Sequence, residues 1–258
     1  MTTHRFFIPP DWLQAGTAQL EGPLAHQIAL VLRLRPGDQI CLLDNSGWET
    51  IVELTKVTRT QATGAVVRRR LATTEPRTKI TVYQGLLKAD RFEYALQKCT
   101  ELGAVGFVPL ITARTVIGSV AEVGDQRIQR WQRIVVEAAE QSGRGRLPVL
   151  HPAQIFQSGC ERAAGLSLLP WEEEKGHGLR TVLRERFTPP AAGTSARTRP
   201  FAVNIFVGPE GGFTPEEVAL AKRYGIVPVT LGPRILRAET APVVVSAAVL
   251  YEAADLGG

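Results

Sequence analysis

The sequence predicts an α/β protein with a mostly parallel sheet, preceded by a smaller β-rich domain. From Lys79 onward, buried strand patterns alternate with amphipathic helix patterns, which is typical of a parallel sheet with helices on both faces. Across residues 39–71, runs rich in Val, Ile and Thr are separated by turn residues, as in antiparallel hairpins. The polar stretch Thr73–Thr78 contains a proline and separates the two patterns. We therefore expect domains at residues 1–72 and 73–258.

Length and composition exclude several classes of protein. The chain has 258 residues, of which 44% are hydrophobic, so it can build one large core or two ordinary ones and is not globally disordered. Its longest apolar run, Ala241–Tyr251, is shorter than the roughly 18 residues that cross a bilayer. We expect a soluble protein in the reducing cytoplasm, because three distant cysteines suggest no disulfide framework. The net charge of +5 is compatible with a nucleic-acid partner and equally with a solvated basic surface.

The β-rich head is expected to be a small antiparallel barrel. HRFFIP supplies a short strand, and residues 24–32 have helical spacing that ends at the turn of residues 35–38. Strands then follow at residues 39–43, 48–57 and 62–71.

The body alternates strands and helices. Strands are predicted at residues 79–87, 105–111, 147–150, 165–171, 201–207 and 226–231. Helices are predicted at Ala89–Leu102, from about Arg127 to Gly143, and at Leu179–Phe187, Pro215–Tyr224 and Pro242–Ala254. Thr188–Pro200 has no period and is predicted to be a flexible surface loop.

A first candidate site follows the strand pattern of residues 201–207. Gly208-Pro209-Glu210-Gly211-Gly212-Phe213 fills the junction, and Thr214, Pro215 and Glu217 predict a capped helix directly after it. Ligands bind at the carboxyl ends of strands in open α/β sheets, and glycines let backbone amides approach them. The spacing matches neither a dinucleotide nor a triphosphate motif. A purely structural turn is the alternative.

The second candidate site joins residues 226–231 to the helix that begins at Pro242. It carries Arg234, Arg237 and Glu239 among small residues, just before a helix start that favours negative charge. The alternative gives Glu239 a helix-terminal role and leaves both arginines solvated. We expect the two junctions to lie side by side.

Other features point away from further chemistry. The four histidines form no helical pair and lie near no cysteine, so no metal is predicted. No nucleophile elbow of a serine hydrolase is present. Arg68-Arg69-Arg70 is open to two interpretations, an RNA contact or a charge cluster at a strand end.

The segments VGPEGGFTPEEV and LGPRILRAETAPVVVSAAVL resemble the two C-terminal motifs of the knotted SPOUT methyltransferases, specifically the ribosomal small-subunit methyltransferase E family. HRFFIP, HQIALVLRLRPGD, RFEYALQKCTELG and VVEAAEQSGR resemble the same family in the same order. The chain departs from the family at Gln27, where a histidine is expected, and at Thr112–Ile117, where Ser-Glu-Arg-Ser is usual.

The resemblance implies a C-terminal SPOUT domain tied in a trefoil knot, which is an exception to the usual avoidance of knots, and an N-terminal PUA-like RNA-binding barrel. It implies a homodimer, with the helix Pro242–Ala254 at the interface, that acts on 16S ribosomal RNA or the small ribosomal subunit. S-adenosylmethionine would bind backbone groups of three loops. The matching residues are Leu169, Pro170, Trp171, Val207, Gly208, Pro209, Glu210, Gly211, Gly212, Leu231, Gly232, Ile235, Leu236, Arg237, Glu239, Thr240 and Ala241.

The implied activity is methylation of uridine N3. This nitrogen carries a proton, so a proton acceptor and a cation that stabilises the uracil anion are expected. Glu239 and the competing Glu210 are the candidate acceptors, and Arg237 or Arg234 is the candidate cation. The candidates for RNA contacts are Arg5, Arg33, Arg35, Arg91 and Arg114.

Two other functions compete with this one. A knotted methyltransferase could instead modify another RNA atom, such as a ribose 2′-oxygen, because the fold supports several targets. A non-enzymatic assembly protein would bind RNA through its head domain and would not turn over.

Overall fold

The computed structural model describes residues 4–188 and 200–257, which divide into two compact units. The first unit comprises residues 4–75 with Ala139–Leu147. The second comprises Pro76–Ala138, residues 148–188 and residues 200–257. Nearly all of the predicted loop at Thr188–Pro200 lies outside the described residues.

The first unit is built on a six-stranded sheet with the order β1-β4-β5-β6-β3-β2. Its strands are β1 (Arg5–Phe7), β2 (Leu13–Gln14), β3 (Thr17–Glu21), β4 (Gln39–Leu43), β5 (Trp48–Val57) and β6 (Gln61–Leu71). β1 pairs with β4 in parallel and the other pairs are antiparallel, so the expectation of a wholly antiparallel head is wrong at β1. In the described part of the chain the end strands β1 and β2 are not paired with each other, and the sheet is an open half-barrel.

A short helix packs on this sheet. α1 (Gly22–His26) continues as a π-helical turn over Gln27–Val31, so the helix predicted at residues 24–32 starts earlier and changes its geometry midway. The sequence analysis missed β2 and β3. The core of the unit consists of apolar side chains from both the sheet and this helix, including Leu20, Ile28, Ile40, Leu42, Val52 and Leu54.

An ion pair in the first unit holds the stretch that the sequence predicts as a linker. Glu75 Oε1 and Oε2 accept hydrogen bonds from Arg144 Nε and Nη2, each at 2.8 Å, and Gly145 N donates to Glu75 Oε1 at 2.9 Å. Burial acts to raise the pKa of Glu75, but the hydrogen bonds and charge of Arg144 outweigh it, and the pKa lies below its ordinary value. Arg144 itself is buried.

The second unit contains a seven-stranded sheet in which every pairing is parallel. Its strands are β7 (Lys79–Gly85), β8 (Gly106–Ile111), β9 (Val149–Leu150), β10 (Gln154–Ile155), β11 (Leu166–Pro170), β12 (Ala202–Val207) and β13 (Val227–Val229). The order is β10-β8-β7-β12-β11-β13, with β9 also paired to β8. The predicted α/β class with a parallel sheet is confirmed.

Helices cover both faces of this sheet. They are α2 (Arg91–Leu102), α3 (Asp125–Gln141), α4 (Phe156–Arg162), α5 (Leu179–Phe187), α6 (Pro215–Arg223) and α7 (Ala241–Glu252). One core cluster joins the sheet to α2, α3, α5 and α7 through residues such as Phe92, Trp131, Val182 and Val245. A second cluster joins the other face to α4 and α6 through Phe156, Val218 and Phe206. The sequence analysis missed α4 and β10.

Local sequence signals explain where these helices begin and end. Thr214 accepts a hydrogen bond from Glu217 N, and the Glu217 side chain accepts one from Thr214 N, so the predicted capping box of α6 is confirmed. α2 ends at Gly103 as the sequence predicts. Its apolar face, Phe92, Leu96 and Cys99, is buried.

Backbone hydrogen bonds hold β13 from both sides. Trp171 N donates to Val229 O at 3.0 Å, which continues the pairing of β11 with β13. Thr230 N donates to His177 O at 2.8 Å, and Leu179 N donates to Thr230 O at 3.1 Å. The chain at Val229 and Thr230 is therefore bonded to both limbs of the loop that connects β11 with α5.

In residues 4–188 and 200–257, no helix is both long enough and apolar enough to span a membrane. The three cysteines are each buried and carry no disulfide.

We expect Glu75→Gln to lower the free energy of unfolding at pH 7 by about 3 kcal/mol, because it removes the carboxylate that faces the buried Arg144. The folded-state pKa of Glu75 is lowered, so its stabilisation is present above the unfolded value of about 4.5 and is lost as the pH falls through the folded value. Denaturant titrations from pH 7 to pH 3 should show the gap between wild type and variant closing with acid.

Glu101→Gln is the control, since Glu101 forms a more exposed pair with Lys98 at 2.7 Å. Its cost should be about 0.5 kcal/mol or less. A gap between wild type and Glu75→Gln that does not change with pH contradicts the assignment.

Candidate functional site

A cavity of about 740 Å³ opens in the second unit at the carboxyl ends of β11, β12 and β13. The segments that follow these strands line it, together with Arg91. Parallel strands place their carboxyl ends at one edge of the sheet, where ligands bind in open α/β folds. The two junctions predicted to lie side by side do share this cavity.

The loop after β12 is folded tightly against its surroundings. Gly212 N donates to Pro209 O at 2.9 Å, which closes a turn. A Cβ atom at Gly208 would come within 2.9 Å of the Gly212 carbonyl carbon, so the turn requires glycine at this position. Arg114 donates to Gly211 O and thereby fixes the outer side of the loop.

Glu210 is already engaged. Its Oε1 accepts hydrogen bonds from Lys88 N at 3.0 Å and from Arg91 Nη1 at 3.3 Å. Burial acts to raise the pKa of Glu210, but the amide of Lys88 and the charge of Arg91 outweigh it, so the pKa lies below its ordinary value. Glu210 is thus held as an anion that ties the β7–α2 connection to the loop after β12.

Two residues that line the cavity each carry a buried polar atom without a hydrogen-bond partner among the described residues: Glu239 Oε2 and Trp171 Nε1. The Glu239 side chain is 12% exposed, and its Oε1 lies 3.9 Å from Arg237 Nη1. A buried polar group without a partner is costly, and such groups in a cavity indicate a ligand that supplies the missing bond. The pair offers one acceptor and one donor.

The structure brings most of the predicted site residues together. Of the predicted cofactor-binding and catalytic residues, all line the cavity except Leu169, Gly211 and Thr240. Leu169 is instead fully buried in the core of the second unit. The lining residues outside the three predicted cofactor loops, apart from Arg91, are Glu172, Glu174, Lys175, Phe213 and Thr230. The charged run directly after β11 was a usable signal, because it occupies the same kind of strand end as the two junctions.

The arginines predicted to contact RNA have different environments. In the second unit, Arg91 lines the cavity and Arg114 supports the glycine turn. In the first unit, Arg33 and Arg35 are exposed, whereas Arg5 donates to Glu49 Oε1 at 2.7 Å and is largely buried. The Arg5 charge is therefore compensated within the unit. Its phosphate contact stays a prediction, like those of the other four arginines.

Comparison with known proteins defines the class. The family of RNA methyltransferase domains matches residues 74–250. Ribosomal RNA small subunit methyltransferase E of Bacillus subtilis is 32% identical over 247 residues, which cover 95% of this chain and 94% of the relative. The same enzyme of Synechocystis is 34% identical over 241 residues, or 93% of this chain and 75% of the relative.

Solved structures agree with this comparison. A ribosomal RNA small subunit methyltransferase E from Neisseria gonorrhoeae bound to S-adenosyl methionine superposes with a TM-score of 0.81 at 28% identity, covering 97% of this chain and 98% of that one. The fold is thus that of an RNA methyltransferase. The chain belongs to the ribosomal RNA small subunit methyltransferase E family.

We expect Gly208→Ala to lower the free energy of unfolding by about 2 kcal/mol, because the new methyl group would overlap backbone atoms of Gly212 and Phe213. The matched control is Gly124→Ala, where an added Cβ meets no atom within 4 Å. Gly124 directly precedes α3, a position where alanine is less favourable than glycine, so the control should lower the free energy of unfolding by no more than about 1 kcal/mol. Equal denaturation midpoints for the two variants would contradict the packing described for the turn.

Proposed function

We propose that this chain transfers the methyl group of S-adenosylmethionine to N3 of a uridine in 16S ribosomal RNA of the small subunit. One observation carries the proposal: the cavity at the strand ends holds a buried acceptor, Glu239 Oε2, and a buried donor, Trp171 Nε1, that find no partner in the described parts of the chain. Membership of the family, and the S-adenosyl methionine bound to the Neisseria gonorrhoeae relative, support it.

The residues present fit this cofactor. The cavity volume lies within the usual range for small-molecule sites, about 300 to 1,000 Å³. We propose that backbone groups of Leu169–Trp171, Val207–Gly212 and Leu231–Ala241 hold the donor, with Trp171 Nε1 completing its polar contacts. When bound, S-adenosylmethionine supplies an electrophilic methyl group on a sulfonium. The chain then has to present uridine N3 in line with that methyl group.

Proton transfer distinguishes the two candidate carboxylates. Uridine N3 loses its proton when it gains the methyl group, so one basic oxygen must accept it. Glu210 is the weaker candidate, because Lys88 N and Arg91 hold its carboxylate as an anion with a lowered pKa. Glu239 keeps one oxygen without a hydrogen-bond partner in the described residues, so we assign the proton to Glu239 Oε2.

The cations of the same loop have a complementary role. Arg237 Nη1 lies 3.9 Å from Glu239 Oε1, and Arg234 lines the cavity nearby. We propose that Arg237, with Arg234, stabilises the negative charge that develops on the uracil oxygens. Arg91 and Arg114 in the second unit, and Arg33 and Arg35 in the first, are proposed to contact phosphates, with Arg5 the least available of the five.

We extend the proposal to the finer architecture. The hydrogen bonds from Val229 and Thr230 to both limbs of the β11–α5 loop support passage of the chain through that loop, as a SPOUT trefoil knot requires. The open sheet of the first unit supports a PUA-like RNA-binding domain over residues 1–72, with the methyltransferase domain over 73–258.

A homodimer is also proposed. α7 leaves Val244 and Tyr251 exposed on an otherwise strongly apolar helix, which supports its burial against a second copy. We also propose a cytoplasmic location, because the proposed substrate is ribosomal RNA. No metal takes part in the proposed reaction.

Mapping methylated uridines tests the function directly. Small-subunit RNA is incubated with the protein and S-adenosylmethionine, then reverse transcribed. N3 methylation blocks base pairing, so reverse transcription should stop at one uridine. Ribose methylation leaves the pairing edge free and would indicate the rival RNA methyltransferase. If the protein binds RNA but methylates no nucleotide, and calorimetry detects no affinity for the cofactor, the remaining function is that of a non-enzymatic assembly protein.

We expect Glu239→Gln to lower the methylation rate constant about 100-fold, because an amide cannot accept the N3 proton. Cofactor affinity by calorimetry should stay within about threefold of wild type, since the amide keeps the shape and an acceptor oxygen. The control is Glu173→Gln, an exposed carboxylate outside the cavity lining. A larger loss of rate with Glu210→Gln than with Glu239→Gln would reverse the assignment.

A further inference from the structure

Ile235 stands out on the surface of the second unit. Its side chain is 86% exposed, the largest exposed fraction among the large apolar side chains of the described residues. It also contributes to the lining of the cavity and therefore stands at its mouth. Exposing an isoleucine so fully to water is unfavourable in free energy, and a partner that covers the side chain would remove this cost.

The loop that carries Ile235 is held at both ends. Gly232 adopts a left-handed backbone with φ of +102°, and the ring of Pro233 restricts the φ of Pro233 itself. At the other end, Thr240 N and Ala241 N both donate to Arg237 O, at 2.9 and 3.0 Å, directly before α7. The exposed side chain is thus presented from a braced backbone.

Positive charge flanks this side chain. Arg234 precedes Ile235 and is exposed, and the Arg237 side chain two residues later is 77% exposed. Glu239, the carboxylate of the same loop, is buried and leaves the tip of the loop cationic. An apolar tip between two cations matches a nucleic acid, in which apolar base faces lie between phosphates.

We propose that Ile235 is a wedge that enters the base stack of the RNA and fills the space left by the target uridine, while the positive charges of Arg234 and Arg237 draw the adjoining phosphates toward the loop. This rests on the proposed function. Uridine N3 lies on the pairing edge, so the nucleotide has to leave its stack before N3 can enter the cavity. Apolar side chains inserted between base steps offset the free energy lost on unstacking, because they fill the gap.

Charge and exposure favour RNA over the two other occupants of this site. The cofactor would be held by backbone groups of the loop, and a side chain that is 86% exposed adds little to that contact. A second copy of the chain would bring a protein surface, rather than an anion, against Arg234 and Arg237. The experiment below separates all three.

The test uses the fragment of small-subunit RNA that contains the uridine methylated by the wild-type protein. It is prepared in its natural form and with an abasic nucleotide on each side of the target, which removes its stacking partners. Ile235→Ala should lower the single-turnover methylation rate constant about tenfold or more on natural RNA, and less than about threefold on the abasic form. Ile235→Leu, which keeps an apolar wedge, should retain most of the rate.

A second readout does not depend on methylation. 2-Aminopurine placed beside the target uridine should brighten when the wild-type protein binds and should stay quenched with Ile235→Ala. Val149→Ala, another exposed apolar truncation in the second unit but away from the cavity, is the control and should behave like wild type in both assays.

Three results would overturn the wedge. They are an equal loss of rate on both RNAs, a more than threefold loss of S-adenosylmethionine affinity in calorimetry with Ile235→Ala, and a change of oligomeric state in sedimentation. Failure of the proposed function is distinguishable, because the wild-type protein would then methylate no uridine in the mapping experiment.

Discussion

The cavity depends on how β13 is held. Parallel pairing aligns the carboxyl ends of β11, β12 and β13, and the bonds of Val229 and Thr230 to Trp171, His177 and Leu179 lock the last of these strands in register. Because these contacts are made by backbone groups, they fix where Leu231–Ala241 begins whatever its side chains do. A one-residue slip at β13 would reverse the direction of its side chains and would displace the loop that carries Glu239.

Strong local signals made most of the second unit predictable. The capping box at Thr214 and the apolar face of α2 depend on residues close in sequence, so the pattern alone determines them. β10 and α4 were missed because two-residue strands and a seven-residue helix give too little periodicity to detect. The open sheet of the first unit depends on which distant strands pair, and β1 lies parallel to β4 for reasons that local turn chemistry does not contain.

The residues that form the site could be predicted from the sequence, but their hydrogen-bond partners and ion pairs could not. Strand-end position and family resemblance identified Glu210 and Glu239 together. Only the structure separates them, since Lys88 N and Arg91 reach Glu210 from another loop, whereas one oxygen of Glu239 has no partner in the described chain. Similarly, Arg5 and Arg33 are equal candidates in the sequence, but Glu49 of β5, two strands away in the sheet, forms an ion pair with Arg5. These differences come from charged and polar groups that are distant in the sequence, so the spacing of residues does not reveal them.

The loop Leu231–Ala241 is proposed to contact both the cofactor and the RNA, and its geometry allows both contacts. Gly232 and the turn at Arg237–Ala241 fix the backbone, whose groups are proposed to hold the cofactor, while the side chains of Arg234 and Ile235 are exposed. Backbone recognition places few demands on side-chain identity, so the same residues are free to contact RNA. Glu239 is the exception, because its side chain is buried and is proposed to accept the N3 proton of the RNA beside the bound cofactor. A base turned out by the loop tip would therefore enter a cavity whose proposed proton acceptor belongs to the same loop, which would couple recognition of the nucleotide to its deprotonation.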